Sequence, residues 1–191
     1  VRLHANRKLV APMGALLRSA GADLIALQEV PPAAVPEICA ATGMTAVGVR
    51  TGPRLGSVEL RGRLGRRNPD LWRSFEGNAN AVLVAPGWEL VPGGLRSLRL
   101  NPPATIVRAL RRERIGAAQA LRWAAEPRRL ILARVRSPGG TELAMACLHC
   151  QNGPPPVVAA ELERAASFLL EALPPALPLI VAGDLNIGLA L

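Results

Sequence analysis

Three short apolar runs in this chain each end in polar residues that an apolar strand does not need. That pattern constrains the fold more than any other feature. The runs are residues 24–27 followed by Gln28-Glu29, residues 143–148 followed by His149, and residues 179–182 followed by Gly183-Asp184-Leu185-Asn186. Each has the length of a buried strand and falls far short of a membrane span. Between them the period changes to that of a helix. Leu9, Met13, Leu16 and Leu17 share one helical face before Gly21, with Pro12 in the first turn. Residues 33–41 read as a second helix closed by Gly43. Residues 157–173 place Val158, Leu162, Ala165, Leu169 and Leu173 on one face, leaving Glu161, Glu163, Arg164 and Glu171 to solvent. Further strands are expected at residues 79–84 and 89–91, and a hairpin joins 129–136 to 141–149 around Pro138-Gly139-Gly140. The arginine- and glycine-rich residues 50–73 read as an exposed loop, and residues 101–128 carry no clear period. Helix and strand segments of these lengths in alternation imply a layered α/β protein.

The length of 191 residues fits one domain, and a composition that is 50% hydrophobic supplies its core and excludes a polar disordered chain. The net charge is +9, and of the 23 basic residues only Lys8 is not arginine. Residues 1–136 hold 22 bases against nine acids, whereas residues 137–191 hold one base, Arg164, against five acids. A basic body suits a phosphate-rich partner such as nucleic acid, because each contact releases counterions and the guanidinium fork matches phosphate oxygens. A GC-rich coding sequence writes the same arginine excess, so charge alone does not decide. Three cysteines, an odd number, argue against a disulfide framework and for a reducing, cytoplasmic setting.

In α/β layers, ligands gather where strand ends open into loops. Glu29, His149, Asp184 and Asn186 together form a set suited to Mg²⁺ or Mn²⁺ chemistry on a phosphate ester, since hard cations take oxygen ligands. Singly, each has an ordinary explanation. Glu29 suits the start of a helix, His149 a hydrogen-bonded core position, and Gly-Asp-Leu-Asn an Asx turn. Their conjunction, each just past an apolar strand, favours the chemical explanation. Cys147-Leu148-His149-Cys150 is a poor zinc site: on a strand Cys150 faces away from Cys147 and His149, and only Cys39 and His4 remain to complete four ligands.

The words Asp23-Leu-Ile-Ala-Leu-Gln-Glu29-Val, Gly77-Asn-Ala-Asn-Ala-Val-Leu-Val84, Leu148-His149 and Leu179-Ile-Val-Ala-Gly-Asp184-Leu-Asn186, in this order, resemble the endonuclease/exonuclease/phosphatase superfamily. The resemblance spans about residues 9–186. It implies a four-layered α/β sandwich, with two mixed or antiparallel sheets packed together and helices outside. It also implies a metal-dependent phosphoesterase, most simply a nuclease-like hydrolase using Mg²⁺ or Mn²⁺. By this resemblance Glu29 is the metal ligand, His149 hydrogen-bonds the scissile phosphate, Asp184 orients or activates water, and Asn186 holds phosphate oxygens. Glu76 or Asn78 would steady His149, and Arg112 would contact phosphate.

The departures shape a second expectation. The family's first strand ends in a metal-binding asparagine, whereas Asn6 reads as a helix-start residue. The family's terminal Asp-His pair has no counterpart before Leu191, and the chain has no tyrosine. Residues 1–191 are thus expected to form a single domain short of its first strand and of that Asp-His segment. The alternative is a non-catalytic phosphate-binding or interaction module, or an inactive fragment, with the same fold.

Overall fold

A computed structural model describes residues 10–50, 79–112 and 115–187, and within them seven strands form two sheets. The first sheet has the order β1-β3-β2, all antiparallel, with β1 at Leu24–Val30, β2 at Thr45–Arg50 and β3 at Ala79–Val84. The second has the order β4-β5-β6-β7, from Glu89–Arg99, Arg129–Arg136, Glu142–His149 and Leu179–Asp184. Only the β6–β7 pair is parallel. The helices are α1 (Val10–Ser19), α2 (Val35–Thr42), α3 (Pro103–Arg112), α4 (Ala117–Ala125) and α5 (Pro155–Ala172).

The two-residue period of the strands builds the layers, because alternate side chains face opposite sides of a sheet. Val82 and Val84 of β3 meet Ile131, Ala133 and Val135 of β5 and Met145 and Cys147 of β6, making the core between the sheets. The other faces of β5 and β6, with Leu130, Leu132, Ala144, Ala146 and Leu148, pack on Val158, Ala165 and Leu169 of α5. On the far side, Ile25, Leu27 and Leu83 of the first sheet meet α1 and α2 through Met13, Leu17 and Ile38. The result is the four-layered sandwich that the motif resemblance implies. Burying each fully enclosed Leu, Ile or Val side chain is worth roughly 1.5–3 kcal/mol. At the α2 terminus, Gly43 adopts φ 72° and its N–H donates to the Cys39 carbonyl, a left-handed cap that a side chain would disfavour.

Several expectations change in detail. Residues 101–128 hold two helices, α3 and α4, whose buried Ile106, Ala109, Ala120 and Trp123 cluster with Val157 of α5. Residues 45–50, unassigned by sequence, form β2 against β3. β4 continues to Arg99 past Pro92-Gly93-Gly94, where its register with β5 shifts between Leu90 and Leu95. A proline is tolerated there because β4 lies at a sheet edge. Among the described residues β7 lies at the edge of its sheet, with Leu179, Ile180 and Val181 39%, 44% and 51% exposed. An apolar run marks a strand without specifying what covers its faces. Glu161, expected at the surface, is fully buried. The hairpin of β5 and β6 is as expected, pairing Arg136 with Glu142 across its turn. Most of the arginine loop lies outside the described residues.

Gly183 controls how β7 seats on β6. Its φ is 146°, and a Cβ there would run into the Leu148 carbonyl. Gly183→Ala is therefore expected to separate the two strands and to destabilise the fold by about 2–4 kcal/mol, the scale of backbone strain and overpacking. Urea unfolding measures this; an unchanged midpoint would contradict the close approach.

Candidate active site at the strand ends

The ends of β1, β6 and β7 and the start of β5 lie together, because β5 runs antiparallel to β6 and β7 parallel to it. β1 packs across onto β6 and β7 from the other sheet. His149 is directly paired with Asp184 in the β6–β7 register. Its Nε2 lies 3.9 Å from Asp184 Oδ2 and 4.0 Å from Glu29 Oε1. The histidine is 4% exposed, whereas the Glu29 and Asp184 side chains are 49% and 55% exposed. A buried imidazole thus sits beneath two open carboxylates.

Local backbone geometry aims these groups. Glu29 has φ 54°, where the β1–β3 register breaks between Leu27 and Val30. Asn186 has φ 50°. Left-handed backbone is unfavourable for residues with a side chain, and such strain concentrates at functional sites. These are the only positive-φ residues other than glycine among the described residues. The Asn186 N–H donates to Asp184 Oδ1 at 2.9 Å, and its Nδ2 donates to the Cys150 carbonyl at 2.8 Å. The Asx turn is therefore present, and it holds Asn186 beside the carboxylate. Farther in, Gln28 Nε2 donates to Cys147 Sγ at 3.3 Å, and Asn80 Nδ2 donates to the Arg129 carbonyl at 2.8 Å. Both bonds cross between the sheets.

Sequence reading missed the support beneath the histidine. Arg128, 5% exposed, places NH1 2.8 Å from His149 Nδ1 and 3.0 Å from Nε2. Its Nε donates to Gln151 Oε1 at 2.8 Å, and NH2 pairs with Glu126 at 3.1 Å. The Arg128 N–H donates to Asn101 Oδ1 at 2.9 Å, while Asn101 Nδ2 donates to the carbonyls of Trp123 and Glu126. Glu161 accepts from Trp123 Nε1 with one oxygen and from the Gln151 N–H with the other. For Glu161 the signal was available: it lies four residues after Val157 and four before Ala165, on the buried stripe. For Arg128, Pro127 marks a helix stop before an apolar strand, but one arginine among many carries no distinguishing signal.

Burial, and next the charge of Arg128, push the His149 pKa below its ordinary value, outweighing Glu29, Asp184 and Glu126. Burial raises the Glu161 carboxyl against its two hydrogen bonds and Arg128. It also pushes the Cys150 thiol up to about 12, with Glu161 adding to the shift. A buried thiol that resists ionisation makes a poor zinc ligand, since the thiolate is the ligating form. Among the described residues, no group of three His, Cys, Asp or Glu side chains is arranged to hold a metal ion.

Arg112 lies elsewhere. At the end of α3 it lines a groove of about 460 Å³ with Glu163, Arg164, Phe168 and Glu171, and none of Glu29, His149, Asp184 or Asn186 borders that groove. Glu76, Asn78, Asn6 and His4 lie outside the described residues. No helix among the described residues is long and apolar enough to cross a membrane.

No protein-family model matches the chain, and no curated protein does. Solved structures match in fold. A mannosyl-6-phosphatase from Bacteroides thetaiotaomicron superposes with a TM-score of 0.66 at 14% identity, over 94% of this chain and 57% of that one. An endonuclease/exonuclease/phosphatase family protein from the same organism gives 0.66 at 14%, over 94% and 55%. ANGEL2, a 2′,3′-cyclic phosphatase, gives 0.61 at 11%, over 95% and 46%. The chain spans about half the length of these proteins. It has the fold of the endonuclease/exonuclease/phosphatase proteins, in accord with its motifs.

The depressed His149 pKa sets a pH dependence. Below the ordinary histidine value of 6.5 the unfolded chain binds the proton and the folded one resists it. Stability from the neutral ring is present above that value and is lost as pH falls through the folded pKa. His149→Gln, which cannot titrate, is expected to flatten the fall in unfolding free energy as pH drops below the ordinary histidine value of 6.5. Urea titrations across that window measure it, and a slope identical to wild type would contradict the burial of a neutral ring.

Proposed function

We propose that this chain carries the catalytic centre of a phosphoester hydrolase that uses Mg²⁺ or Mn²⁺. One observation carries the proposal: the solvent-exposed Glu29 and Asp184 each bring a carboxylate oxygen to about 4 Å from His149 Nε2, with Asn186 held beside Asp184, in the fold of known phosphatases. The donor set fits such an ion, because Mg²⁺ keeps several waters and is commonly held by one or two carboxylates plus substrate phosphate. Glu29 would hold it, with Asp184 close by. The ion, when bound, supplies positive charge that polarises the phosphoryl oxygen.

The chain's own groups supply the remainder. Asp184 orients a water and draws its proton toward the carboxylate. His149, kept neutral by burial, donates from Nε2 to a non-bridging phosphate oxygen without adding charge to the ground state. Asn186 spends one amide hydrogen on the Cys150 carbonyl and keeps the other for a phosphate oxygen. The basic excess of the chain favours a polyanionic ester such as nucleic acid. The three exposed arginines of α3, Arg108, Arg111 and Arg112, add to that character.

In the full-length gene product, Mg²⁺-dependent cleavage of DNA, RNA, bis-p-nitrophenyl phosphate and p-nitrophenyl phosphate is the test. Glu29→Gln and His149→Ala are each expected to lower kcat by about 10² to 10⁴-fold. Undiminished turnover in both variants would refute these roles. Phosphate-ester binding with no turnover by the wild type would favour a binding module instead.

A further inference from the structure

Arg128 has no part in the chemistry above, yet every nitrogen of its side chain is engaged directly beneath it. As a stabilising device it is poorly designed. Burying a cation is expensive unless a buried anion answers it, and the carboxylate Arg128 pairs with, Glu126, is 44% exposed. Its other partners, the His149 ring and the Gln151 amide oxygen, are neutral acceptors. A guanidinium held this way acts as a fixed hydrogen-bond donor to the ring, with only a half-exposed carboxylate answering its charge.

We propose that Arg128 is a positioning residue that fixes the ring and tautomer of His149, so that Nδ1 is the acceptor and Nε2–H points between Glu29 and Asp184. Two observations bear on the ring. Arg128 NH1 lies 2.8 Å from Nδ1 and 3.0 Å from Nε2, shorter to Nδ1, and a ring nitrogen that accepts from a guanidinium cannot carry its own hydrogen. Nε2 also has two carboxylate oxygens near it, at 3.9 and 4.0 Å, and acceptors there favour a hydrogen on that nitrogen. Tautomers are set by what the opposite nitrogen bonds to, and here that partner is a cation anchored at three points.

The anchoring explains why the support is so extensive. Glu126 and Gln151 hold the guanidinium, Asn101 holds the Arg128 backbone, and Glu161 holds the Gln151 backbone. Four residues from separate parts of the chain thus converge on the orientation of one imidazole. The role of that Nε2–H as a phosphate donor rests on the hydrolase reading; the fixing of the tautomer does not.

The test separates the two. The chain has two histidines, so ¹⁵N–¹H correlation spectra of ¹⁵N-histidine-labelled full chain identify His149 by its loss in His149→Gln. Wild type is expected to show His149 as the Nε2–H tautomer. Arg128→Lys, which keeps the charge but not the fork, and Glu126→Gln, which frees the fork, are expected to mix in the Nδ1–H form. In turnover assays of the full-length product Arg128→Lys is expected to lose about 10- to 100-fold in kcat with little change in KM, the scale of a misplaced catalytic group. An Nδ1–H tautomer in wild type overturns the proposal even if Arg128→Lys fails to fold. So does a tautomer unchanged in both variants, whatever their activity. A fixed tautomer that shifts in the variants, in a wild type that cleaves no phosphoester, supports the role of Arg128 and removes the hydrolase reading instead.

Discussion

The parallel pairing of β7 on β6 is the constraint on which the site depends. Its register sets His149 opposite Asp184, and the Cys150 N–H donates to the Asp184 carbonyl one step farther on. That register requires β7 to press against Leu148, which only a glycine at position 183 permits. The same glycine releases the chain into the turn that carries Asn186. A small residue at a strand end therefore sets the spacing of a histidine, a carboxylate and an amide. Shifting β7 by one residue would turn Asp184 to the opposite face from His149.

The rest of the site is built at the expense of local stability. Glu29 and Asn186 hold left-handed backbone, each costing on the order of 1–3 kcal/mol. Arg128 is a buried cation and Glu161 a buried carboxyl with neutral hydrogen-bond donors, and Asn80 keeps a buried oxygen with no protein partner. A core of this size would be more stable with apolar groups in several of these places. Their concentration at one end of the sandwich, beneath two exposed carboxylates, distinguishes that end from the groove beside α3. The groove is lined by surface helices and has no such buried support.

The fold was legible because its two periods are clean: strands that alternate or run apolar, and helices with one greasy stripe. The Glu29, His149 and Asp184 positions were legible for a related reason, as polar residues that interrupt the logic of a strand at its end. What escaped the sequence lies where those periods are silent. α3 and α4 lie in a stretch crowded with arginines and interrupted by Gly116 and Pro127, and β4 crosses a Pro-Gly-Gly bulge that reads as a break. Arg128 escaped because a buried arginine looks like any other in a chain with 22 of them. Glu161 escaped because a charge on a helix was assigned to solvent although its spacing placed it inside. β7 shows the converse: its apolar run predicts a strand correctly, while its exposure depends on neighbours that no local pattern encodes.

The central claim is that one strand-end site, centred on His149, gathers a hard cation and a phosphate. A crystal structure of the full-length product soaked with Mn²⁺ and inorganic phosphate, phased to show anomalous scattering from manganese, tests it most directly. An anomalous peak is expected bound to the Glu29 carboxylate, with a phosphate oxygen accepting from His149 Nε2 and from the Asn186 amide. Manganese bound at a site without Glu29, or phosphate settled away from His149, would contradict it.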